Sequence, residues 1–159
     1  MMTSPQAHHP DLEDLRERCR SAGLRLTVQK AAVLDAICAL ETHPTIDEVS
    51  ARVQQRLPQV ARTTVARILD EFAAQGIVRR VCHSGRAMRF DPNLAPHHHL
   101  QCIECGRIDD IALPEIDEVL NGIKTTGFVS REASVIFRGW CRDCAPQGAR
   151  ERVRRKRPD

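Results

Sequence analysis

Tyrosine is absent from this sequence of 159 residues, and aromatic residues together make up 3% of it. A protein core built from this composition must be mainly aliphatic, and base-stacking surfaces of the kind that bind single-stranded nucleic acid are not expected. No apolar run approaches the ~20 residues that a membrane-spanning helix needs. The first fifteen residues also contain no apolar stretch typical of a signal peptide. We therefore expect a cytoplasmic protein without a membrane partner.

Cysteine, in contrast, is plentiful, with seven residues in the chain. Thiols stay reduced in the cytoplasm, so this number indicates metal or redox chemistry rather than disulfides. Two C-x-x-C pairs, Cys102 with Cys105 and Cys141 with Cys144, are separated by 35 residues. Four thiolates at this spacing favour a closed tetrahedral site for one structural Zn²⁺ per subunit. An iron–sulfur centre and a redox dithiol are the alternatives.

Positive charge is concentrated in two places, although the formal net charge of the chain is +3. Residues 61–90 contain six arginines against Asp70 and Glu71, and the tail Arg150–Asp159 contains six basic and two acidic residues. Local positive charge of this kind is typical of a nucleic-acid-binding surface. The tail alone could equally be a solvated, disordered end.

The first half of the sequence has the periodicity of helices followed by a hairpin. An amphipathic segment at 11–22 ends at Gly23, Thr27 is placed to cap the next helix, and Thr45 with Glu48 has the spacing of a capping box. A further helix, Thr63–Gln75, precedes two short strand patterns around a Ser-Gly turn. The pattern predicts a winged helix-turn-helix whose recognition helix is Thr63–Gln75. A generic three-helix domain with a hairpin is the alternative.

Arginines lie where a winged helix would meet DNA. Arg62 and Arg67 are at the front of the recognition helix, and four more arginines, Arg89 among them, follow in the hairpin. Side chains at these positions are suited to contact phosphates. The residues predicted to contact double-stranded DNA are Arg62, Thr63, Thr64, Arg67, Arg79, Arg80 and Arg86.

The second half of the sequence predicts a small α+β domain. It begins with a strand, the first cysteine pair and a second strand. A helix follows at Pro114–Lys124, and its apolar side consists of Ile116, Val119, Leu120 and Ile123. A last strand leads to the second cysteine pair. About 55 residues rarely form a sufficient core without a metal or a partner subunit. The predicted organisation is a DNA-binding domain at 1–90, a hinge at 91–96, a dimerisation and metal-binding domain at 97–149 and a basic tail at 150–159. Cys19 and Cys38, in the first two helices, are predicted to be small core residues.

Three consecutive histidines precede the first cysteine pair. His97 and His99 alternate along a strand and can share one face, so they could bind a second metal if further ligands were close. The candidates are Asp91, Asp110 and His43. Each also has a simpler interpretation, since Asp91 could be a turn residue, His43 could just precede a helix, and the acids at 109 and 110 could face solvent.

Several segments occur in the order and at the spacing of one known family. They are LRLTVQKAAVLDAI, HPTIDEV, TTVARILDEFAAQGIV, RFD, HHHLQCIECGRIDDI and GWCRDC, and together they span residues 11–144. On these motifs the sequence resembles the ferric uptake regulator family. The resemblance implies a homodimeric, metal-dependent transcriptional regulator with an N-terminal winged helix and a C-terminal α+β dimerisation domain. It also implies that the four cysteines hold structural zinc.

The resemblance extends to a regulatory site. The residues that match the ligand positions of the peroxide-responsive branch are His43, Asp91, His97, His99 and Asp110. Iron-uptake regulators more often have Glu at the last of these positions. The implied regulatory ion is Fe²⁺ or Mn²⁺, one per subunit, with His43 and His97 as the oxidation-sensitive residues. His98 is expected to face outward without a role.

The sequence also departs from the family pattern at some positions. Ala66 replaces the tyrosine that is usual in the recognition helix, so the operator preference does not follow from the resemblance. Cys82 is expected to be an ordinary residue of the wing. Because His43 belongs to the DNA-binding domain and His97 to the other, an ion bound by both would link the two domains.

The favoured interpretation is a repressor, not an enzyme, that senses peroxide through Fe²⁺-dependent histidine oxidation and then releases DNA. An iron-, manganese- or zinc-responsive uptake repressor is the alternative within the family. A constitutive zinc-ribbon nucleic-acid binder is the alternative outside it. A metal-dependent hydrolase or oxygenase is disfavoured, because the histidine run has no additional Glu, Ser or Cys placed beside it for catalysis.

Overall fold

The computed structural model describes residues 10–40, 43–81, 87–123, 126–129 and 133–146. The chain divides into two compact units, and the division falls between Ala95 and Pro96, inside the segment 91–96 that the sequence predicts as a hinge. Among the described residues, no helix is long and apolar enough to span a bilayer.

The first unit is a winged helix-turn-helix. Its elements are α1 (Leu12–Ser21), α2 (Val28–Leu40), α3 (Ile46–Gln54), α4 (Arg62–Ala74), β1 (Arg79–Val81) and β2 (Arg89–Asp91). The two strands pair antiparallel, with Arg79 opposite Asp91. This order confirms the predicted fold, and α4 occupies the place of the predicted recognition helix. The predicted turn at Ser84-Gly85 lies outside the described residues.

Side-chain caps fix where α1 and α3 begin. Thr45 and Glu48 form the predicted capping box, in which Glu48 N–H donates to Thr45 Oγ1 at 3.2 Å and Thr45 N–H donates to Glu48 Oε2 at 2.6 Å. Asp11 and Asp14 form a second box at the start of α1. These bonds satisfy N–H groups that have no partner within the helix. The box at Thr45 therefore fixes the chain two residues after His43.

An aliphatic core holds the first unit together. The apolar residues of α4 recur at helical spacing on one face, and four of them are buried: Val65, Ile68, Leu69 and Phe72. The other helices and β2 contribute to the same cluster, with side chains that include Leu15, Leu34, Ile37, Val49 and Phe90. Phe72 and Phe90 are the largest of these buried side chains.

Two cysteines belong to this core environment, as predicted. Cys19 is fully buried, and Cys38 is partly buried and packs against the core. Burial raises the pKa of both thiols, to about 11 for Cys38. A pKa raised above 9 leaves these thiols protonated at neutral pH, which makes them poor metal ligands.

The second unit is a three-stranded sheet with one helix. Its elements are β3 (His98–Cys102), β4 (Ile108–Ile111), α5 (Pro114–Gly122) and β5 (Ile136–Gly139). The strand order is β4-β3-β5, in which β3 pairs antiparallel with β4 and parallel with β5. Parallel neighbours cannot be joined by a tight turn, and the long connection between them contains β4 and α5, with α5 on the crossover from β4 to β5. This confirms the predicted α+β class.

The apolar side of α5 is not buried within the subunit. All nine residues of α5 are described, and none of them is buried. Val119 is 66% exposed, and Ile123, just after the helix, is 58% exposed. Strand β5 is similarly open, since Ile136 and Phe137 are 37% and 41% exposed. The unit is too small to cover these side chains, so they form an exposed apolar surface.

We expect Phe72→Ala to destabilise the first unit strongly, because it leaves a cavity in the middle of the core. The free energy of unfolding should fall by about 3–5 kcal/mol. Val28→Ala is the matched control, because Val28 is 73% exposed and its truncation removes no buried contact. Urea denaturation of the full-length chain measures both values, and equal losses would contradict the assignment of this core.

Candidate metal centres

The two cysteine pairs meet at one edge of the second unit. Cys102 is the last residue of β3, and Cys141 follows β5 by two residues. Because β3 and β5 are parallel neighbours, their carboxyl ends lie side by side, and both C-x-x-C turns begin there. Ile103 N–H donates to the carbonyl of Gly139 at 2.7 Å, which ties the first turn to the end of β5.

Each turn is closed by backbone hydrogen bonds. Gly106 N–H donates to the carbonyl of Cys102 at 3.0 Å, and Gly106 has φ +74°, a conformation that favours glycine. In the second turn, Cys144 N–H donates to the carbonyl of Cys141 at 3.2 Å. These turns direct both sulfurs of each pair toward the same point.

The spacing of the four sulfurs fits one tetrahedral ion. The four Sγ atoms all lie within 4.8 Å of one another, and those of Cys105 and Cys141 are 3.8 Å apart. Four sulfurs placed about 2.3 Å from a central Zn²⁺ would be separated by about 3.8 Å. The donor set therefore suits zinc, and it leaves no open position for a substrate.

Hydrogen bonds prepare one of these thiols to be a ligand. Burial by itself raises the pKa of Cys102, but the N–H groups of Cys141, Cys105 and Glu104 donate to its sulfur and hold the pKa at about 6. A hydrogen bond to the sulfur of Cys141 has the opposite effect on Cys144, whose pKa rises to about 12. A pKa of about 6 favours the thiolate form of Cys102 at neutral pH, and a metal that binds Cys144 must displace the proton of that thiol.

A second group of predicted ligands lies on the strands of the same unit. His97 Nε2 is 3.0 Å from His99 Nε2, so the two imidazoles converge as the strand alternation predicts. Asp110 lies opposite His99 in the pairing of β3 with β4. Its Oδ1 is 3.2 Å from His97 Nε2 and 4.0 Å from His99 Nε2. Three predicted ligands, two imidazoles and one carboxylate, are therefore together.

The neighbouring acid, Asp109, is excluded from this group by the alternation of β4. Its Oδ1 accepts a hydrogen bond from Arg107 Nε at 2.8 Å, and it lies opposite Leu100 instead of a histidine. The sequence analysis named Asp110 as the candidate ligand, with the simpler interpretation that both acids face solvent. The register of the sheet separates them, because adjacent residues of a strand face opposite sides.

The other two predicted ligands are adjacent in the first unit. His43 Nε2 is 3.6 Å from Asp91 Oδ2, and both side chains are buried. Backbone contacts bring them together, because Phe90 N–H donates to the carbonyl of Pro44 at 3.0 Å and Arg89 Nη1 donates to the carbonyl of His43 at 2.6 Å. Asp91 Oδ1 accepts a hydrogen bond from Asn93 N–H at 2.7 Å, which orients the carboxylate.

His98 does not face outward, contrary to the expectation from the sequence. It is 1% exposed, and its ring lies on the side of β3 opposite to that of His97 and His99. Its Nδ1 accepts a hydrogen bond from Val135 N–H at 3.1 Å, and its Nε2 is 3.3 Å from Asp117 Oδ1 of α5. The expectation was wrong because the crossover helix contributes groups to that side of the sheet, which no local pattern reveals.

Six of the seven residues predicted to contact DNA are described, four of them on α4 and two on β1. Arg62, Thr63 and Arg67 are exposed, and Thr64 is half-buried. Arg62 forms an ion pair with Asp47 of α3, in which Arg62 Nε donates a hydrogen bond to Asp47 Oδ1. This hydrogen bond lowers the pKa of Asp47. A phosphate at this position would have to compete with that carboxylate.

The arginines of the hairpin differ in their environment. Arg80 is exposed and forms an ion pair with Asp70 at 2.7 Å. Arg79 is half-buried and donates from Nη2 to the carbonyl of Leu94 at 2.9 Å. Arg86, Cys82 and the tail Arg150–Asp159 lie outside the described residues.

Comparison with known proteins gives a consistent assignment. A sequence profile described as "Ferric uptake regulator family" matches residues 21–138. A peroxide-responsive repressor, PerR, of Staphylococcus saprophyticus is 33% identical over 134 residues, which cover 84% of this chain and 90% of that protein. The PerR of Staphylococcus epidermidis is 30% identical over 139 residues, with coverage of 87% and 93%.

Solved structures show the same fold. The ferric uptake regulator of Helicobacter pylori, described as having three functional metal binding sites, matches with a TM-score of 0.69 at 22% identity and covers 89% of this chain and 99% of its own. A peroxide stress regulator of Campylobacter jejuni matches with a TM-score of 0.60 at 27% identity, with coverage of 84% and 98%.

We expect Cys105→Ser to release zinc from the purified chain, because a hydroxyl is a poor replacement for the fourth thiolate. Cys38→Ser is the matched control, since Cys38 packs against the core of the other unit. Elemental analysis after dialysis measures the retained metal. One zinc per subunit in the control and a large loss in Cys105→Ser are expected, and full retention in both variants would contradict the four-cysteine site.

Proposed function

Because the chain belongs to the ferric uptake regulator family, we propose that it is a cytoplasmic, metal-dependent transcriptional repressor that senses peroxide. The family assignment makes it a metal-responsive regulator with PerR proteins among its relatives. The observation that carries the finer proposal is the convergence of His97, His99 and Asp110 in the second unit. An enzymatic activity is not part of the proposal.

We further propose that one regulatory ion takes its ligands from both units. His97, His99 and Asp110 would supply three of them, and the adjacent pair His43 and Asp91 would supply the other two. Three imidazoles and two carboxylates form a nitrogen and oxygen donor set without thiolate, which suits Fe²⁺ or Mn²⁺. Such an ion would make the position of the DNA-binding unit depend on metal. The four-cysteine site would hold zinc throughout and stabilise the second unit.

The start of α4 and the hairpin form the proposed DNA-binding surface. The exposed side chains of Arg62, Thr63 and Arg67 extend from the first turns of α4. A helix presented in this way can enter the major groove, and a basic hairpin can lie against the backbone. The half-buried Ala66 contributes no hydrogen-bonding group at the position where the family usually has tyrosine.

The proposed repressor works as a homodimer. Its second unit exposes Val119, Ile123, Ile136 and Phe137, together with Trp140, which is 49% exposed. An apolar surface of this kind is suited to a second copy of the chain. Two copies would present two recognition helices, so the operator would contain two related half-sites on one face of the duplex.

Peroxide sensing would depend on the histidines that hold the ion. Fe²⁺, when bound, would supply the chemistry that cleaves the O–O bond of hydrogen peroxide beside the ligands. One oxygen atom would be added at a ring carbon of a histidine, which provides the two electrons, and the other oxygen would leave as water. His43 and His97 are the proposed targets, and the addition of an oxygen atom to either ring would weaken it as a ligand. The loss of ligands would lower the metal affinity, and the chain would leave its operator. Mn²⁺ fits the same donor set, so an iron- or manganese-responsive uptake repressor is the outcome if peroxide has no effect.

The deciding experiment is DNA binding of the zinc-loaded protein, titrated under anaerobic conditions with Fe²⁺ and, separately, with Mn²⁺. A low dose of hydrogen peroxide should abolish binding of the Fe²⁺ form and leave the Mn²⁺ form bound. Mass spectrometry should then find one added oxygen on the His43 or the His97 peptide of the Fe²⁺ form. If both forms survive without modification, the protein is a metal sensor without peroxide chemistry. If it binds DNA equally with and without the ion, it is a constitutive DNA-binding protein.

A separate variant tests the DNA-binding surface. Arg67→Ala should weaken operator binding by about 1 kcal/mol or more and reduce the salt dependence by about one counterion, because it removes one phosphate or base contact. Arg20→Ala is the matched control, since Arg20 on α1 already pairs with Glu13 and Glu17. Fluorescence anisotropy at several salt concentrations measures both variants, and identical affinities would contradict the placement of α4 on DNA.

A further inference from the structure

A buried histidine that the proposed function does not use lies between two proposed ligands. His98 is 1% exposed and faces the side of β3 opposite to that of His97 and His99. Burying an imidazole without polar partners is costly, so the partners of His98 indicate what it does.

The hydrogen bonds of His98 define its tautomer. Val135 N–H donates to Nδ1 at 3.1 Å, so Nδ1 carries no proton and the proton of the neutral ring is on Nε2. Nε2 is 3.3 Å from Asp117 Oδ1, but the two atoms do not have hydrogen-bond geometry in the structure. The side chain of Asp117 is 43% exposed, and a small rotation would bring its carboxylate into range as an acceptor.

The ring of His98 thus connects its own strand with two other parts of the second unit. His98 belongs to β3, Asp117 belongs to α5, and Val135 directly precedes β5. Val135 is bonded a second time, because its carbonyl accepts a hydrogen bond from His99 N–H at 3.0 Å. Val135 is therefore bonded both to the ring of His98 and to the backbone of His99, a proposed ligand.

We propose that His98 is a positioning residue for the regulatory ion. By holding β3 against Asp117 and Val135, it keeps the backbone of His97 and His99 in the register in which their Nε2 atoms converge to 3.0 Å. This inference rests on the proposed function, in which His97 and His99 are ligands of that ion. His98 and Asp117 together offer two potential metal-ligand atoms. We assign this pair to orienting the ligands of the regulatory ion, not to binding a metal itself.

The test is the affinity of the zinc-loaded, full-length chain for Mn²⁺, measured from the electron paramagnetic resonance signal of free Mn²⁺. Asp117→Ala should weaken binding about tenfold, the lower end of the effect seen when groups that orient metal ligands are removed. Asp117→Asn should restore most of the affinity, because its amide oxygen can accept from Nε2–H. Glu118→Ala, at the next and exposed position of α5, is the matched control and should bind like wild type.

A second readout separates positioning from general stability. Hydrogen exchange of the Val135 amide should be faster in Asp117→Ala than in Glu118→Ala, while the thermal midpoints of the two variants stay close. Wild-type affinity in Asp117→Ala would overturn the proposal. A decrease in the number of Mn²⁺ ions bound per subunit, with unchanged affinity for those that remain, would also overturn it, because Asp117 would then be a ligand.

A further variant, His97→Ala, distinguishes an error in the proposed regulatory site from an error in the proposed role of His98. His97→Ala should abolish Mn²⁺ binding at this site. If His97→Ala binds Mn²⁺ as tightly as wild type, the regulatory site itself is wrong, and the positioning proposal is wrong with it. If His97→Ala loses Mn²⁺ while Asp117→Ala keeps wild-type affinity, only the positioning proposal is wrong.

Discussion

The parallel pairing of β3 with β5 is the contact on which the second unit depends. It brings the ends of two strands that are distant in sequence to one edge, and each strand leads there into a C-x-x-C turn. A tetrahedral ion held by the four sulfurs would join these turns. The sheet would otherwise rest on three short strands and a helix with no buried residue among its nine. In such a small domain, the binding energy of that ion would replace much of what a larger core supplies.

The same strand that supplies Cys102 also orders the histidines. His97 and His99 converge on one side, where the register with β4 adds Asp110, and His98 lies on the other. A single strand thereby serves two different donor sets, one of sulfur and one of nitrogen and oxygen. Thiolates favour zinc, and the proposed set of imidazoles and carboxylates suits Fe²⁺ or Mn²⁺, so the two donor sets differ in ligand type.

Much of this structure follows from local patterns in the sequence. The capping box of Thr45 and Glu48, the inner face of α4 and the two cysteine turns are encoded by residues a few positions apart, and the structure has each of them. The convergence of His97 with His99 follows from strand alternation in the same way. Short-range periodicity is a reliable signal because a helix or a strand imposes it directly.

Features that depend on long-range packing could not be obtained in this way. The burial of His98 depends on α5 and on Val135, 37 positions away along the chain. The exposure of Val119 and Ile123 is likewise invisible to periodicity, which marks an apolar face without saying what covers it. The five regulatory ligands and the DNA contacts remain predictions, derived from motifs and family resemblance.

The spacing along β3 also limits how this protein can vary. The proposed regulatory site requires His97 and His99 on one face of the strand, and the four-cysteine site requires Cys102 at the end of β3, at the edge shared with β5. Inserting or deleting one residue at Leu100 or Gln101 would turn the side chains on one side of that position to the opposite face of the sheet. Either the histidines would leave Asp110 or the cysteine would leave its three partners. Length changes in this segment are therefore tolerated far less than substitutions, and the two donor sets constrain each other although they share no ligand.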